Sequence, residues 1–245
     1  MSDTPHPGYS RWIAAPGTRV IVRADVEHSL RDIMAGPSGL TLYEWAAAHP
    51  ERRALRGRLP AYAVPLPRSD VRVVVRHNHH GGLLAKWRGD RFLRPRALYE
   101  LSTSFYLSRS GVPTPEVVAC AIYRVNALER RSDVATRELP PGSDLGALVE
   151  RGTFAPAMLD AVASLLRKLG GMGAWHPDLS VGNVYVTEGD DPLAYVLDVD
   201  RVRFGAPDLA GRANASRLAR SVRKVAAALG GRDVTSVLAA VAWAP

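Results

Sequence analysis

The stretch from Trp175 to Asn183 constrains the fold of this chain more than any other feature. It has the pattern His-x-Asp-Leu-x-x-x-Asn, in which Asp178 and Asn183 stand five residues apart. Phosphoryl transfer requires this combination, because a carboxylate receives the proton of an acceptor hydroxyl while an amide oxygen holds a metal ion. The pattern therefore predicts that Asp178 is a catalytic base and that Asn183 is a metal ligand.

A second carboxylate follows in the order that the same chemistry needs. The apolar run from Leu193 to Leu197 ends at Asp198, fifteen residues after Asn183. In kinases the metal-binding Asp-Phe-Gly segment stands at the end of such a strand, so Asp198 is predicted to be the second metal ligand. Taken singly, these residues also suit a turn, a cap and a strand end. Their common order favours the kinase interpretation.

Composition limits the class of protein further. A chain of 245 residues can form one large domain or two small lobes. No apolar run is long enough to span a bilayer, and Met1–Tyr9 lacks the basic and apolar blocks of a signal peptide, so the sequence predicts a cytoplasmic protein.

Lys and Arg exceed Asp and Glu by 32 − 24 = 8 charges, which favours phosphate-bearing partners. The single cysteine, Cys120, excludes an internal disulfide and is predicted to be a buried thiol.

The first half of the chain predicts an antiparallel sheet. Alternating apolar residues predict strands at Arg19–Arg23, from Arg53 to about Arg56, and at Ala61–Leu66, Val71–Arg76, Val117–Tyr123 and Val134–Leu139. A capping box at Thr41–Glu44 predicts a helix that ends near Pro50. We interpret residues 1–50 as a family-specific extension that covers the small lobe. The N-terminal lobe is predicted to span residues 1–139, with the kinase-like sheet and helix in residues 51–139.

The strand that ends at Arg76 supplies the predicted cation for the nucleotide phosphates. Kinases place a lysine at this point, whereas Arg76 offers a guanidinium, and Lys86 is the competing candidate. Glu100 lies 24 residues past Arg76, on a helix predicted from Pro95 to about Ser108. It is predicted to orient the cation, and the alternative is a solvated helical glutamate.

Three loops of this lobe are predicted to face the nucleotide or to join the lobes. The turn at Gly57–Pro60 has one glycine and is either a phosphate-covering loop or a plain hairpin turn. The cluster of His77, His79 and His80 favours a polar, phosphate-facing loop over a metal site, because no Cys or acidic residue keeps spacing with it. The Pro- and Gly-rich segment after Glu138 predicts a hinge, where the backbone of Glu138 and Pro140 would bind the adenine edge.

The second lobe, residues 140–245, is predicted to be mainly helical. Helices are expected at Asp144–Arg151, at Ala157–Leu169 with a stop at Gly170-Gly171, from Pro207 to Leu229 and at Val234–Trp243. Apolar residues at Leu218, Val222, Val225 and Leu229 predict the buried side of the third of these helices. Its other side carries cations at Arg212, Arg217, Arg220, Arg223 and Lys224. That side is either a solvated face or a contact with anionic lipid.

Taken together, these segments resemble the lipopolysaccharide core kinases related to 3-deoxy-D-manno-octulosonic acid (Kdo) kinase, over about Gly57 to Arg203. The resemblance rests on Arg76-His77 with the following basic Gly-Gly loop, Arg-x-x-x-Glu at Arg96–Glu100, Gly-x-Pro-x-Pro at Gly111–Pro115, and the segments His176–Asn183 and Asp198–Arg203. In the last segment Val199 replaces a phenylalanine of the family.

The resemblance implies an α+β, two-lobed protein-kinase-like fold with an antiparallel-sheet N-lobe and a shortened, mainly helical C-lobe. It also implies ATP and Mg²⁺ as cofactors and phosphorylation of a Kdo hydroxyl on a lipid A precursor at the inner face of the inner membrane. Only 45 residues follow Asp200, which favours a sugar or lipid-linked sugar over a protein acceptor, and no nucleic acid is expected. Aminoglycoside-type or heptose kinases and an inactive kinase-like binding module are the alternatives.

Overall fold

The chain forms two compact units. The computed structural model describes residues 6–36, 39–55, 60–79 and 89–242. The first unit comprises Met1–Phe105 and Glu116–Glu138, and the second comprises Tyr106–Pro115 and Leu139–Pro245. The sequence predicts one lobe for all of residues 1–139, so the assignment of residues 106–115 differs. Leu107 and Val112 explain the difference, because they are buried in the core of the second unit, where the Pro113 carbonyl accepts the Val196 N–H at 3.0 Å.

A seven-stranded antiparallel sheet of described residues is the framework of the first unit. Its strands are β1 (Tyr9–Ala15), β2 (Thr18–Arg23), β3 (Arg53–Leu55), β4 (Ala61–Pro65), β5 (Arg72–His77), β6 (Val117–Arg124) and β7 (Arg130–Arg137), in the order β1-β2-β6-β7-β5-β4-β3. The sequence does not predict β1, whose residues are half-buried or exposed and give a weak pattern. It also predicts a start for β7 at Val134, which is wrong, because pairing with β6 continues back to Arg130.

Helices lie on both faces of this sheet. α1 (Glu27–Met34) and α2 (Leu42–Ala48) pack on one face, and α3 (Arg96–Arg109) contributes Ala97 and Leu101 to a core on the other. The capping box at Thr41 and Glu44 and the burial of Cys120 are confirmed. Residues 1–50 therefore extend the sheet through β1 and β2 as well as covering it through α1 and α2.

The second unit is mainly helical. It contains α4 (Leu145–Arg151), α5 (Pro156–Gly171), α6 (Pro207–Ala228) and α7 (Thr235–Val241), a sheet of β8 (Gly142–Asp144), β10 (Val184–Thr187) and β11 (Ala194–Val196), and the paired strands β9 (Ala174–Trp175) and β12 (Arg203–Phe204). Leu165 and Leu169 of α5 and Leu218 and Val222 of α6 are buried in one apolar core. None of the helices in the described part of the chain is long and apolar enough to cross a membrane.

Two details of the second unit differ from the sequence prediction. α5 continues two residues past the predicted end at Leu169: it ends at Gly171, within the predicted Gly170-Gly171 stop, and the left-handed backbone that follows is at Gly173. Leu229 is not part of the buried stripe of α6. It lies after the end of the helix and its side chain is 40% exposed.

Candidate active site

A tight turn fixes the start of the loop that carries Asp178. Gly173 directly precedes β9 and has a φ of +65°, a conformation that L side chains rarely adopt. A Cβ at this position would lie 2.0 Å from the Gly205 carbonyl oxygen, which follows the partner strand β12. Only glycine fits here. The two ends of the segment between β9 and β12 are therefore held together, and this segment contains the predicted base Asp178 and the predicted metal ligands Asn183 and Asp198.

His176 joins the loop of Asp178 to the end of β11. Its side chain is fully buried, and burial lowers its pKa below the ordinary value. The Asp178 N–H donates to Nδ1 at 3.2 Å, and Nε2 contacts the Leu197 carbonyl oxygen at 3.1 Å. Since an amide N–H only donates and a carbonyl only accepts, His176 is the neutral tautomer with its proton on Nε2. The ring thus fixes the backbone of Asp178 relative to the residue before Asp198.

One face of α6 supports the same loop. Asn214 is fully buried, and its Oδ1 accepts the His176 N–H at 3.0 Å. Ser221 Oγ accepts the Val181 N–H at 3.1 Å. Arg217, which lies between them along the helix, reaches Asp178. These three polar residues recur at helical spacing, so they form one face of α6, beside the apolar face that packs in the core.

The two predicted metal ligands are linked through backbone contacts. The Asn183 side chain donates through Nδ2 to the Asp178 carbonyl at 3.0 Å, which leaves Oδ1 as its acceptor atom. The Leu197 N–H donates to the Asn183 carbonyl at 2.9 Å. Asp198 then adopts a left-handed backbone with φ 57° and ψ 49° and turns the chain into a short 3-10 helix. Such conformations in residues other than glycine are concentrated at functional sites.

Two arginines bind the carboxylate of Asp178. Arg201 Nη1 donates to Oδ2, and Arg217 Nη2 donates to Oδ1 at 3.2 Å. The three side chains are 39%, 41% and 42% exposed for Arg201, Arg217 and Asp178. The proposed base therefore lies at the surface of the second unit with both oxygens in contact with a cation.

In the first unit, Arg76 and Glu100 form an ion pair. Arg76, in β5, donates through Nη2 to Glu100 Oε1 on α3, which is the pairing that the sequence predicts. The Glu100 side chain is 3% exposed and that of Arg76 is 28% exposed. A buried carboxylate needs such a partner. The role of this pair in nucleotide binding stays a prediction.

The hinge residues are engaged in contacts of their own. The side chain of Glu138 accepts from Arg53 and from Arg72 Nε, the latter at 2.8 Å. Pro140 has no N–H, and its carbonyl oxygen accepts from the Tyr185 hydroxyl at 2.8 Å. The Glu138 N–H donates to the Arg72 carbonyl at 2.9 Å, so a contact between Glu138 and an adenine would use its carbonyl oxygen. Pro140 has only an oxygen that already accepts one hydrogen bond.

Several predicted residues lie outside the described part of the chain. These are His80, Lys86 and the turn at Gly57–Pro60 except for Pro60. His77, by contrast, contacts the carboxylates of Asp133 and Asp90, the latter at 3.1 Å through Nε2. The phosphate-facing loop after His77 stays a prediction.

Known structures identify the fold. A solved structure titled "WaaP in complex with acyl carrier protein" is 18% identical, with 77% of each chain covered and a TM-score of 0.50. A double mutant of the Mycobacterium tuberculosis PknI kinase domain is 16% identical, with 71% of this chain and 72% of that chain covered and a TM-score of 0.44. The first comparison confirms the predicted α+β, protein-kinase-like fold. At 18% identity this likeness shows the fold class alone.

Sequence comparison identifies the family. Residues 55–240, more than half of the chain, match the model of the Lipopolysaccharide kinase (Kdo/WaaP) family, and the chain belongs to that family. A 3-deoxy-D-manno-octulosonic acid kinase from Actinobacillus succinogenes is 27% identical over 166 residues, which are 65% of this chain and 69% of that protein. The predicted resemblance is confirmed. The protein is a phosphotransferase that acts on a sugar hydroxyl in lipopolysaccharide core synthesis, and its family uses ATP.

The sequence does not predict that Arg201 and Arg217 contact Asp178. It places Arg201 in the segment Asp198–Arg203 and Arg217 on the polar side of a helix, without linking either to the base. A signal was present in Asn214, an amide that lies four residues before Leu218 on the apolar stripe. Buried polar side chains are normally hydrogen-bonded, so an amide at that position indicates that this part of the helix faces polar groups.

Proposed function

We propose that the protein transfers the γ-phosphoryl group of ATP to a hydroxyl of Kdo on a lipid A precursor. The observation that carries the proposal is the hydrogen-bonded network that joins Asp178, Asn183 and the residue before Asp198. Its chemistry is that of phosphoryl transfer. The Kdo acceptor is supported by the name of the relative that is 27% identical.

In this proposal Asp178 is the general base. It accepts the proton of the acceptor hydroxyl as the bond to phosphorus forms. His176 and Asn183 are positioning residues, since both hold the backbone of Asp178 by hydrogen bonds. Because His176 is neutral and buried, it contributes a fixed tautomer and not a charge.

The donor set of the second unit fits Mg²⁺. Asn183 Oδ1 and the Asp198 carboxylate are oxygen donors, which Mg²⁺ prefers, and such sites commonly use one or two protein ligands with the phosphates and waters. The Nδ2 contact with Asp178 fixes which end of the Asn183 amide is the acceptor. When bound, the ion would neutralise charge on the phosphates.

The first unit is proposed to bind the nucleotide. Arg76 would bind the phosphates while Glu100 orients its guanidinium. At the predicted hinge, the backbone carbonyl of Glu138 would bind the adenine edge, since the Glu138 N–H donates to Arg72. Pro140 is a weaker candidate for this role, because its carbonyl oxygen accepts from Tyr185.

A membrane contact is proposed for the polar side of α6. Arg212, Arg220, Arg223 and Lys224 are exposed on this helix, and Leu209 near its start is 68% exposed. Cations beside an exposed apolar side chain suit the surface of an anionic membrane. Arg217 is not part of this surface, since its guanidinium binds Asp178. The alternative remains a solvated helix face.

A phosphotransfer assay tests the proposed function. Purified protein is incubated with ATP and Mg²⁺ and with Kdo-lipid A, a heptose-bearing acceptor or an aminoglycoside, and transfer of phosphate is measured. We expect transfer to Kdo-lipid A and a loss of at least about a thousandfold in Asp178→Asn, since the amide cannot accept the proton. Asp160→Asn, an exposed change on α5, is the matched control and should retain wild-type turnover.

Two results would contradict the proposal. Preferred phosphorylation of the heptose or the aminoglycoside would show that the acceptor is wrong. More than about a tenth of wild-type turnover in Asp178→Asn would show that the base is wrong. Circular dichroism of both variants checks that they are folded.

A further inference from the structure

Arg201 and Arg217 place two positive charges on the one residue that must contact the acceptor hydroxyl. Arg201 belongs to the 3-10 turn after Asp198, and Arg217 belongs to α6, 39 residues from Asp178 in sequence. Three separate segments of the second unit therefore converge at this point. The three side chains carry a net charge of 2 − 1 = +1, and each is about two fifths exposed.

This arrangement is poorly suited to a purely structural ion pair. Exposed ion pairs contribute little to stability, and one arginine would suffice to neutralise one carboxylate. Both oxygens of Asp178 accept from a guanidinium, so fewer of its lone pairs are open to a hydroxyl proton. Asp178 can accept a proton more readily when another anion binds the arginines, because one of its carboxylate oxygens is then released from a guanidinium.

The arginines have the donors for such an anion. A guanidinium has five N–H donors in a planar fork, and each arginine contacts Asp178 through one nitrogen. Such forks bind carboxylates and phosphates with two parallel hydrogen bonds. Neither arginine side chain is buried, so an anion at the surface of the second unit can approach both.

We propose that Arg201 and Arg217 form a binding site for an oxyanion of the acceptor and that this site determines acceptor specificity. The anion is a carboxylate or a phosphate that the acceptor carries close to the reacting hydroxyl. Its binding draws the guanidiniums partly away from Asp178 and places the hydroxyl beside the freed carboxylate oxygen. This inference deepens the proposed function and rests on it, since the acceptor proposed there is a sugar acid on a phosphorylated lipid.

Kinetics with modified acceptors test the proposal. The acceptors are Kdo-lipid A, the same compound with the Kdo carboxyl group reduced to an alcohol, and the same compound without lipid A phosphates. Wild type, Arg201→Gln and Arg217→Gln are compared, with Arg167→Gln on α5 as the control that removes an exposed cation elsewhere in the unit. We expect each site variant to raise KM for Kdo-lipid A by about tenfold to a hundredfold and to change KM for ATP less than about twofold.

The modified acceptors identify the anion. The acceptor that lacks the recognised anion should show the raised KM already in wild type, and the arginine variants should add little to it. A dependence on the carboxyl group assigns the site to the sugar acid, and a dependence on the phosphates assigns it to the lipid. An equal loss in the variants with all three acceptors, or a raised KM for ATP, would overturn the proposal and assign the arginines to loop structure or to the transferred phosphoryl group.

A binding measurement decides the question even without turnover. The methyl glycoside of Kdo and its alcohol analogue are titrated into the full chain by calorimetry. If the site recognises a carboxylate, wild type should bind the acid at least about tenfold more tightly than the alcohol, and the arginine variants should lose this difference. The proposal is wrong if wild type binds the acid and the alcohol equally and if its KM is the same for the acceptors with and without the carboxyl group or the phosphates. If wild type discriminates but transfers no phosphate, the proposed function fails and the anion site stands.

Discussion

The contact between Arg76 and Glu100 shows how one ion pair can serve two purposes. The Glu100 carboxylate is almost completely buried, so the removal of its cation would leave a charge in an apolar core with Leu101 and Cys120 nearby. The Arg76 side chain is more exposed, at 28%, and its Nη1 also donates to Asn78 Oδ1 at 3.5 Å. The buried carboxylate can therefore hold a cation that an anion such as a phosphate can approach from the exposed side.

Substitution of this pair separates its roles. Arg76→Met should raise KM for ATP and lower kcat, together by about a hundredfold in kcat/KM, because a cation is lost from both the ground state and the transition state. Glu100→Gln should lose much of the same activity through misorientation of Arg76. The double variant should cost far less than the sum of the two single losses, since both remove one contact. Steady-state kinetics with varied ATP measure all three.

Lys86→Met serves as the comparison for these variants. If Arg76 is the phosphate cation, Lys86→Met should change kcat/KM for ATP less than about threefold. A larger loss in Lys86→Met than in Arg76→Met would contradict the assignment and the strand register from which it was predicted. Additive losses in the Arg76 and Glu100 double variant would instead show that the two residues act independently.

The ion pair of Glu100 in the first unit and those of Asp178 in the second differ in how far sequence could predict them. Arg76 and Glu100 were predictable because each has a place in a local pattern, the end of an alternating strand and a helix at a set distance. No local pattern connects Arg217 to Asp178. Helical periodicity places Arg217 on the polar side of α6, but which protein surface faces that side depends on the packing of α6 against the loop.

At the level of elements, a buried carboxylate joins the helix α2 to the sheet. Asp133, in β7, is completely buried, and its Oδ2 accepts the Tyr43 N–H and the Tyr123 hydroxyl, both at 2.9 Å. Its Oδ1 contacts His77 in the neighbouring strand β5. Negative charge near the N-terminus of α2 is favourable to the helix dipole. Asp133 thus links β7 to α2, β6 and β5, and His77 is the histidine that contacts it.

His77 should make the stability of the chain depend on pH. Burial lowers the pKa of His77, but the carboxylates of Asp133 and Asp90 outweigh burial, and the net pKa is raised. Only the doubly protonated ring can donate to both carboxylates. Because the folded state has the higher pKa, this stabilisation is complete below the unfolded pKa and is lost as the pH rises through the folded value. Two nearby groups act against this protonation of His77. A charge on His79 would repel it, and Arg131 also binds Asp90, at 2.7 Å.

The change that measures this effect is His77→Gln. We expect the free energy of unfolding in urea to fall by about 1.5–3 kcal/mol relative to wild type at pH 5.5, and by less at pH 9. His28→Gln is the control, because it removes a histidine whose side chain is 71% exposed and whose ion-pair partner, Asp32, is 3.8 Å away at the surface, and it should change the free energy of unfolding by less than about 0.5 kcal/mol. A His77→Gln curve parallel to that of wild type from pH 5.5 to pH 9 would show that His77 stays neutral in the folded protein.

The elements of the first unit also show what sequence can predict of a fold. The capping box of α2 is a local signal that four residues carry, and it was predicted to the residue. The strand β1 was missed because its apolar side chains are only partly buried, so the alternation that marks a half-buried strand is weak. The position of β2 beside β6 was not predictable either. Strand order depends on pairing between residues about a hundred positions apart, such as Val20 and Ala121.

For the molecule as a whole, the cationic side chains fall into two groups, those that form ion pairs with carboxylates and those that are exposed. The net charge of +8 comes mainly from arginine. In the first unit, arginines such as Arg137 and Arg72 are paired with Glu116 and Glu138, and so contribute little to binding. On α6 the cations at Arg212, Arg220, Arg223 and Lys224 are exposed. Exposed cations also occur elsewhere, such as Arg167 and Lys168 on α5, so the proposed membrane contact is specific to α6 only if the cations of this helix contribute more than those.

Vesicle sedimentation with matched charge variants tests this contact. The full chain is mixed with vesicles of neutral lipid or of neutral and anionic lipid, and bound protein is measured at about 0.05 M and about 0.5 M salt. We expect binding only to the anionic vesicles and only at low salt.

Since each cation near such a surface contributes about 1 kcal/mol, the double variant Arg223→Gln/Lys224→Gln should bind about thirtyfold more weakly. The double variant Arg167→Gln/Lys168→Gln removes the same charge from exposed positions on α5 and should bind like wild type. Equal weakening in both variants would show that binding follows net charge alone, and an absence of salt-sensitive binding would show that this side of α6 is a solvated face.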